Sequence, residues 1–163
     1  MKKTDRFLIG IVVGIVILVT VALIVALRQP PPTYQPEDAP EGVAYNYLLA
    51  LQQEDFTRAY GYLSPALPGY PADSDTFTYN MKSYSWMFRF DGDTAVSITD
   101  TQRNGEKATV HATTTRFRQG GLFDSNTTTA IFTLELRREG GAWKIWSATN
   151  YWARCWGSDA GCS

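Results

Sequence analysis

The chain has 163 residues, with 15 Lys and Arg, 16 Asp and Glu and a formal net charge of −1. It carries no basic stripe that could neutralise phosphates, so the sequence excludes nucleic acid as a partner and a polybasic contact with anionic lipid. One histidine and two cysteines are too few for a Cys/His metal site, and no cofactor-binding motif is present. We therefore expect no metal and no cofactor.

The most apolar part of the chain is a run near its beginning. Residues Phe7 to Leu27 carry no charged side chain, and as a helix they span about 31 Å, close to the hydrocarbon thickness of a bilayer. A helix also pairs its own backbone N–H and C=O groups in lipid, which an isolated strand cannot do. We predict a transmembrane helix over 7–27, in contact with membrane lipid, rather than a buried core helix.

The flanking charges predict the direction of this helix. Three basic residues in positions 1–6 precede the span, whereas Arg28 is the one basic residue close behind it. By the positive-inside rule, the tail 1–6 is cytoplasmic and the residues after the span lie outside the cell (inner) membrane. The alternative is a cleaved signal peptide, but the run is long for one. The best cleavage site, Ile24-Val25-Ala26, also has Ile where a small residue is needed.

Gly10 and Gly14 form a G-x-x-x-G within the span. Small residues at this spacing let two helix backbones approach closely, so they predict a homodimer through the membrane helix. Glycine is also common in membrane helices without such a role, and no small residue continues the stripe at 17 or 18. Both interpretations stay open.

A proline-rich segment follows the span. Five prolines lie between Gln29 and Pro40, and proline favours an extended polyproline path, so residues 28–40 predict a stalk about 30–35 Å long. A disordered spacer without a fixed reach is the alternative. The rest of the chain suits one domain, predicted over 41–153 and followed by a tail over 154–163.

The predicted domain begins with helices. Apolar residues recur at i, i+3, i+4 and i+7 over 44–51 and again over 56–63. The phase breaks just before Phe56, where Asp55 can cap a second helix, so the sequence predicts two helices joined by a tight corner.

A third helix is predicted over 76–86, with Ser74 or Asp75 as its cap. After Phe90 the apolar period changes from near 3.6 to 2, which is typical of strands. Asn104-Gly105 and Gly140-Gly141 are strong hairpin signals. The predicted strands cover 94–101, 107–118, 127–138 and 142–152. Helices followed by hairpin-linked strands predict an α+β domain with the helices packed on one side of an antiparallel sheet.

Two stretches carry a family resemblance. The sequence YNYLLALQQEDFTRAYGYLSP at 45–65 and the closing GAWKIWSATNYW resemble the NTF2-like superfamily, whose members include ketosteroid isomerases and SnoaL-like cyclases. More narrowly, the chain is similar to the membrane-anchored or lipoprotein branch of that superfamily in bacteria. The resemblance covers about residues 41–153. It implies a cone in which a curved sheet wraps round the helices and leaves a cavity, and it implies no particular chemistry.

Candidate catalytic residues are few. His111 alternates with Val110 and Ala112, so it points to the outer face if the valine face packs on the helices, and into the cavity if the sheet is reversed. Asp100 shares the parity of Val96 and Ile98 on the predicted inner face. Both are weak candidates for the cavity acid or base of an enzyme, and no catalytic residue is carried over from the resemblance.

Candidate ligand-pocket residues are aromatic, although aromatic side chains at these spacings are more often part of a core. They are Tyr60, Trp86, Trp146 and Tyr151. Cys155 and Cys162 are close in sequence with glycines between them. Outside the cytoplasm such a pair should form a disulfide loop, with free thiols as the alternative.

The sequence leaves three hypotheses for function. The first is a single-pass, extracytoplasmic, non-catalytic domain that binds a protein partner or a small ligand, as an accessory subunit of an envelope or membrane complex with a membrane-protein partner. The second is an NTF2-like isomerase or cyclase that uses a cavity acid or His111. The third is a structural subunit whose main contact is the membrane helix, through Gly10 and Gly14.

Overall fold

The computed structural model describes residues 3–28, 31–90, 94–119 and 125–158. The chain forms two compact units, Met1–Thr33 and Tyr34–Ser163. The helices are α1 (Lys3–Leu27), α2 (Pro40–Gln52), α3 (Phe56–Gly61), α4 (Ser74–Ser83) and α5 (Ser85–Phe88). The strands are β1 (Thr94–Asn104), β2 (Lys107–Gln119), β3 (Ser125–Glu139) and β4 (Ala142–Ala148).

The first unit consists mainly of α1. Its part from Phe7 to Val25 is long and apolar enough to cross a membrane, and none of it is buried inside the protein. The hydroxyl of Thr20 donates to the carbonyl of Val16 at 2.7 Å, so this polar group is satisfied within the helix. These features match the predicted transmembrane helix and contradict a core helix.

The second unit is built on a four-stranded antiparallel meander with the order β1-β2-β3-β4. Gly140 and Gly141 form the turn between β3 and β4 with φ of 58° and 88°. Gly105 begins the first hairpin turn with φ of 60°, one residue later than the sequence suggested. Glycine enters this left-handed region without the steric penalty of a Cβ, so the predicted hairpins are confirmed.

The predicted α+β class is also confirmed, with helices packed on one side of an antiparallel sheet. Helix α2 packs against β1, β2 and β4, and the side chains of the sheet that face it alternate with exposed ones, as a half-buried sheet requires. The largest fully buried apolar side chains are Tyr47, Phe77, Leu48, Leu63, Leu134, Leu136, Ile145, Val43 and Val110.

Helix starts depend on local side chains. The carboxylate of Asp55 accepts from the amide of Arg58 at 3.1 Å, so the predicted cap of α3 is confirmed. The cap of α4 is Asp73, which accepts from the amide of Thr76 at 2.7 Å. The expected caps, Ser74 and Asp75, are therefore wrong by one and two residues.

The compact domain starts earlier than position 41. Residues 34–38, which we call the latch, lie against α2 and α3. The second half of the predicted stalk 28–40 is therefore part of the compact domain. The buried side chain of Asn46 accepts from the amide of Gln35 at 2.7 Å and donates to its carbonyl at 2.8 Å. A Cβ on Gly42 would lie 2.0 Å from the carbonyl oxygen of Pro36, so the latch approaches α2 where only glycine fits.

A second set of contacts ties the latch to α3. The Arg58 guanidinium lies 3.2 Å from the Glu37 carboxylate and donates to the Tyr62 hydroxyl at 2.9 Å. The Tyr62 hydroxyl donates in turn to Glu37 at 2.7 Å. This hydrogen bond, supported by Arg58, holds the pKa of Glu37 below its ordinary value of 4.5. The guanidinium also stacks 3.5 Å from the Tyr34 ring centroid.

The last strand is shorter than predicted. Strand β4 ends at Ala148, and it could not have continued to Trp152, since Tyr151 has φ of 55°, which is incompatible with an extended chain. The following residues fold back onto the helices, where Trp156 stacks on Phe77 at 5.1 Å and meets Trp152 edge-on at 5.2 Å. The core therefore continues into the predicted tail 154–163.

Candidate functional site

A β-bulge decides where the weak catalytic candidates lie. In the pairing of β1 with β2, Ile98 opposes Ala112 but Asp100 opposes His111, so Thr99 is an extra residue. Beyond this bulge the side chains of β1 change faces. Asp100 is therefore exposed on the outer face, and its predicted place beside Val96 and Ile98 is wrong.

His111 lies on the same outer face. Its neighbours Val110 and Ala112 are fully buried against the helices, whereas His111 is half-buried and opposes Thr133 of β3. Of the two predicted orientations of His111, the structure shows the one in which the valine face packs on the helices and His111 points to the outer face. Asp100 and His111 are cross-strand neighbours on an open surface, without the enclosure that would exclude water from a reaction.

The four aromatic candidates are not brought together. Tyr60 stacks on Tyr70 at 5.0 Å and donates to the carbonyl of Pro71, so it packs beside the helices. Trp146 is the extra residue of a second bulge and lies under the Arg137 guanidinium at 3.5 Å.

The other two line separate recesses. Trp86 is largely exposed and borders an open cleft of ≈ 380 Å³ together with Trp152 and Arg154. Tyr151 is buried and lines a cavity at one end of the sheet. Asn150, its neighbour in the chain, borders both recesses.

That cavity, which we call the sheet-end cavity, lies where β1 begins, β2 ends and β3 begins. It has a volume of ≈ 140 Å³. The cross-strand register places Thr94, Arg116 and Thr128 in one row on the inner face, with Thr114 and Ala130 in the next row. The full lining is Thr94, Thr114, Arg116, Thr128, Ala130, Asn150 and Tyr151.

Thr94 is the most unusual residue of this cavity. Only 5% of its surface is exposed, and its carbonyl accepts from the Gln52 side chain at 3.1 Å. Its hydroxyl is buried without a hydrogen-bond partner among the described residues. A buried hydroxyl left unpaired costs about 1–3 kcal/mol.

Tyr151 forms the wall of the cavity in a constrained conformation. A φ of 55° is unfavourable for a bulky residue. The hydroxyl of Tyr47 donates to the Tyr151 carbonyl at 2.7 Å, and Phe90 stacks on the Tyr151 ring at 4.3 Å. Tyr47 is fully buried, which raises the pKa of its hydroxyl and keeps it a donor.

The lining of the sheet-end cavity is polar. Arg116 is its one charged lining residue among the described residues, and hydroxyl and amide groups supply the remaining polar atoms. Such a lining can form hydrogen bonds with a small polar molecule. The sequence did not predict these threonines, because aromatic residues were the predicted pocket residues. Their shared parity in β1, β2 and β3 was the available signal.

Two other recesses have a different character. A cleft of ≈ 220 Å³ between the helices is lined mainly by Leu51, Phe56, Met81, Phe88 and Phe90, with charged groups at its border. An open groove along β1 is bordered by Glu41 and Asp100. Within the described residues, no three His, Cys, Asp or Glu side chains are grouped to hold a metal ion.

The remaining predicted sites lie apart from these recesses. Gly10 and Gly14 have open space where a Cβ would stand, so their side of α1 is unobstructed. Cys155 is half-buried and is not a free thiol. Cys162 lies outside the described residues, so a disulfide between the two stays a prediction.

Several solved structures are similar to the chain at low identity. A SEC-C motif containing protein from Rhodopseudomonas palustris is 16% identical with a TM-score of 0.47, covering 70% of this chain and 80% of its own. An NTF2-like protein of unknown function from Shewanella oneidensis MR-1 is 15% identical with a TM-score of 0.44, covering 65% and 90%. A protein of unknown function with a cystatin-like fold from Nostoc punctiforme is 16% identical with a TM-score of 0.45, covering 66% and 84%.

No curated protein matches the chain. One family model does match, over residues 43–152, and its description is the C-terminal domain of the anti-sigma-I factor RsgI9. The match extends from the second turn of α2 to Trp152 and so includes all four strands and the sheet-end cavity. The chain belongs to the family of the anti-sigma-I factor RsgI9 C-terminal domain.

Proposed function

We propose that the chain is a single-pass membrane protein that displays a regulatory binding domain outside the cytoplasm. The observation that carries this proposal is the combination, in one chain, of an apolar helix with no buried face and a domain of the anti-sigma-I factor family. An anti-sigma factor is a regulator by its name, and a membrane-tethered domain of this family is suited to sensing a ligand or a partner.

The direction across the membrane follows from charge. Three basic residues precede Phe7, whereas Arg28 is followed by an acidic latch. By the positive-inside rule, this asymmetry supports a cytoplasmic location for positions 1–6 and a location of the domain on the other side of the cell (inner) membrane. An oxidising location would also favour the predicted bridge between Cys155 and Cys162.

Binding, rather than catalysis, fits the site. The enzyme hypothesis needs an acid or base inside a cavity, but Asp100 and His111 lie on the outer face of the sheet. Among the described residues, no Asp or Glu lines the sheet-end cavity. A polar recess lined largely by hydroxyl groups, with no acid among its described lining residues, suits recognition of a ligand.

A membrane-protein partner is a second element of the proposal. The open space at Gly10 and Gly14 allows a second helix to approach α1 closely. Such a contact would let the chain work as an accessory subunit of a membrane complex, or as a homodimer.

Reporter fusions after Ser163 test the topology directly. In a bacterial host, we expect a C-terminal alkaline phosphatase to be active, because the enzyme matures outside the cytoplasm, and a C-terminal green fluorescent protein to stay dark. The matched control reverses the flanking charges by moving the basic residues of positions 1–6 to the other end of the span. A fluorescent, phosphatase-negative wild type would contradict the proposal.

A further inference from the structure

We propose that the open edge of β1 binds an extended, basic segment of a partner protein as an added strand. The site is the groove of ≈ 500 Å³ between this edge, the latch and α2, which we call the β1 groove. It is lined by Gln35, Glu41, Tyr45 and residues 96–101. The inference deepens the proposed function, and rests on it for the display of the domain, since it names the chemistry of one partner.

The backbone of β1 is paired on one side only. The strand stands at the end of the sheet and pairs with β2. In an antiparallel edge strand, every second residue directs its N–H and C=O away from the sheet. Among the described residues, no group is hydrogen-bonded to the open side of 96–101, and the Gln52 side chain reaches only the carbonyl of Thr94, at 3.1 Å. These peptide groups can pair with a strand from outside.

The sequence of β1 does little to block this edge. Natural edge strands are commonly blocked by proline, by lysine or by their short length. Strand β1 has 11 residues, contains neither proline nor lysine, and begins with the uncharged stretch TAVSIT. A bulge also disturbs pairing, and the one at Thr99 limits the regular edge to residues 94–98. That length suits a short added strand.

The floor of the β1 groove is apolar. Val96 and Ile98 lie on the inner face of β1 and pack against the core, but they stay half-buried. Tyr45 of α2 is also half-buried and stands on the other side of the groove. Alternate side chains of an added strand would point to this floor. We therefore expect an apolar residue at every second position of the bound segment.

The charged residues that line the groove are both acidic. Glu41 and Asp100 border it, and neither forms an ion pair within the described part of the chain. Asp100 accepts a hydrogen bond from Gln102 at 3.3 Å, whereas Arg103 lies over the Trp143 ring at 4.9 Å. Carboxylates without a cationic partner favour Lys or Arg in the bound segment. A second copy of the chain would bring two acidic grooves together, which disfavours self-pairing.

The latch gives binding in this groove a regulatory use. Gln35 of the latch lines the groove, and its backbone is held by the side chain of Asn46. The latch lies in the stretch of chain that connects α1 to the domain. A segment bound along β1 would thus touch the connection to the membrane helix, as a sensing domain requires.

Peptide binding to the full-length chain in non-ionic detergent tests the proposal. The probe is a fluorescein-labelled hexapeptide of alternating lysine and valine, and fluorescence anisotropy measures its binding. We expect it to bind, and a glutamate–valine peptide not to bind, because the groove is acidic. N-methyl groups along one edge of the lysine peptide should abolish binding, whereas those along the other edge should not, since only one edge pairs with β1.

Three results with these peptides would overturn the proposal. They are no binding of the lysine peptide, equal binding of the glutamate peptide, and binding that survives methylation of either edge. The first two would remove the basic partner, and the third would remove the pairing of backbones.

Variants assign the binding to the groove. Glu41→Gln and Asp100→Asn should each weaken binding of the lysine peptide about two- to five-fold, as expected for exposed charge pairs, and should reduce its dependence on salt. The matched control is Glu106→Gln, since Glu106 is exposed in the turn after β1, outside the groove. Equal weakening in Glu106→Gln would show a general charge effect and would contradict the assignment.

Hydrogen exchange resolved to single residues locates the bound peptide. Alternate amides within 94–98 should gain protection when the peptide binds, because the others already pair with β2. Protection elsewhere would place the peptide outside the groove. Protection of the same alternate amides without peptide would mean that a second copy covers the edge, and either result overturns the proposal. The topology fusions are read in cells without peptide, so failure of one proposal is distinguishable from failure of the other.

Discussion

Individual residues at the sheet-end cavity carry both strain and an unmet hydrogen bond. Tyr151 is held at φ of 55° and Thr94 keeps a buried hydroxyl without a partner. Conformations of this kind persist where the surroundings impose them, and they concentrate at sites with a function. Both features lie in the lining of one cavity, which is why this cavity is a better site than the exposed pair Asp100 and His111.

The Tyr47 hydroxyl is expected to stabilise the domain through Tyr151. In Tyr47→Phe the carbonyl of Tyr151 loses the bond of 2.7 Å, so we expect the free energy of unfolding to fall by about 1–3 kcal/mol. Tyr79→Phe is the control, since Tyr79 is 71% exposed and should change stability little. Urea unfolding measures both, and equal stabilities of the two variants would contradict this role.

The position of the site was hard to predict because it depends on one inserted residue in β1 and on one buried hydroxyl. The period-2 pattern correctly separated Val110 from His111, since local alternation is enough for that. The inserted residue at Thr99 changed the face of Asp100, and no composition signal marks a bulge. An unpaired hydroxyl cannot be recognised from sequence at all, because it depends on what surrounds it in space.

At the scale of elements, local signals were reliable and long-range contacts were not. The corner before α3 was predicted because Asp55 is a good N-cap, and its carboxylate does accept from the amide of Arg58, three residues later. The hairpins were predicted because glycine adopts their positive φ angles without the steric penalty of a Cβ. The latch was missed because its prolines are typical of a spacer, whereas the bonds that hold it come from Asn46, a polar residue inside a helix.

The close approach of the latch to α2 predicts the effect of a single methyl group. Gly42→Ala would place a Cβ 2.0 Å from Pro36, so the latch must move and leave Asn46 unpaired. We expect a loss of about 1–3 kcal/mol in urea unfolding and new protease cleavage within 34–38. Gly61→Ala is the control because nothing lies within 4 Å of its Cβ. If the latch of Gly42→Ala resists protease as well as the wild type does, the close approach of the latch to α2 is not required for its position.

The latch should also respond to acid through Glu37. Its folded pKa lies below 4.5, so its contribution is fully present above pH 4.5 and is lost as the pH falls through the folded value. The carboxylate is 50% exposed, so the contribution is at most about 1 kcal/mol. Between about pH 6 and pH 3, the wild type should lose more stability than Glu37→Gln. Parallel losses in the two proteins would show that Glu37 does not contribute.

For the whole molecule, the membrane helix provides more than an anchor if it dimerises. Gly10→Ile or Gly14→Ile should abolish chemical crosslinking of full-length dimers in membranes, because a large side chain separates the two backbones. Val12→Ile is the control, since two residues place Val12 on the opposite side of α1. Crosslinking that survives both glycine substitutions would remove this contact from the account.

Membrane extraction of the full-length chain tests the central claim of one retained span over Phe7–Leu27. After alkaline carbonate washing, we expect the protein to stay with the membrane, to dissolve only with detergent, and to keep an intact mass that includes residues 1–27. A chain that is soluble without detergent, or whose mature form begins after Ala26, would contradict the claim and the topology built on it.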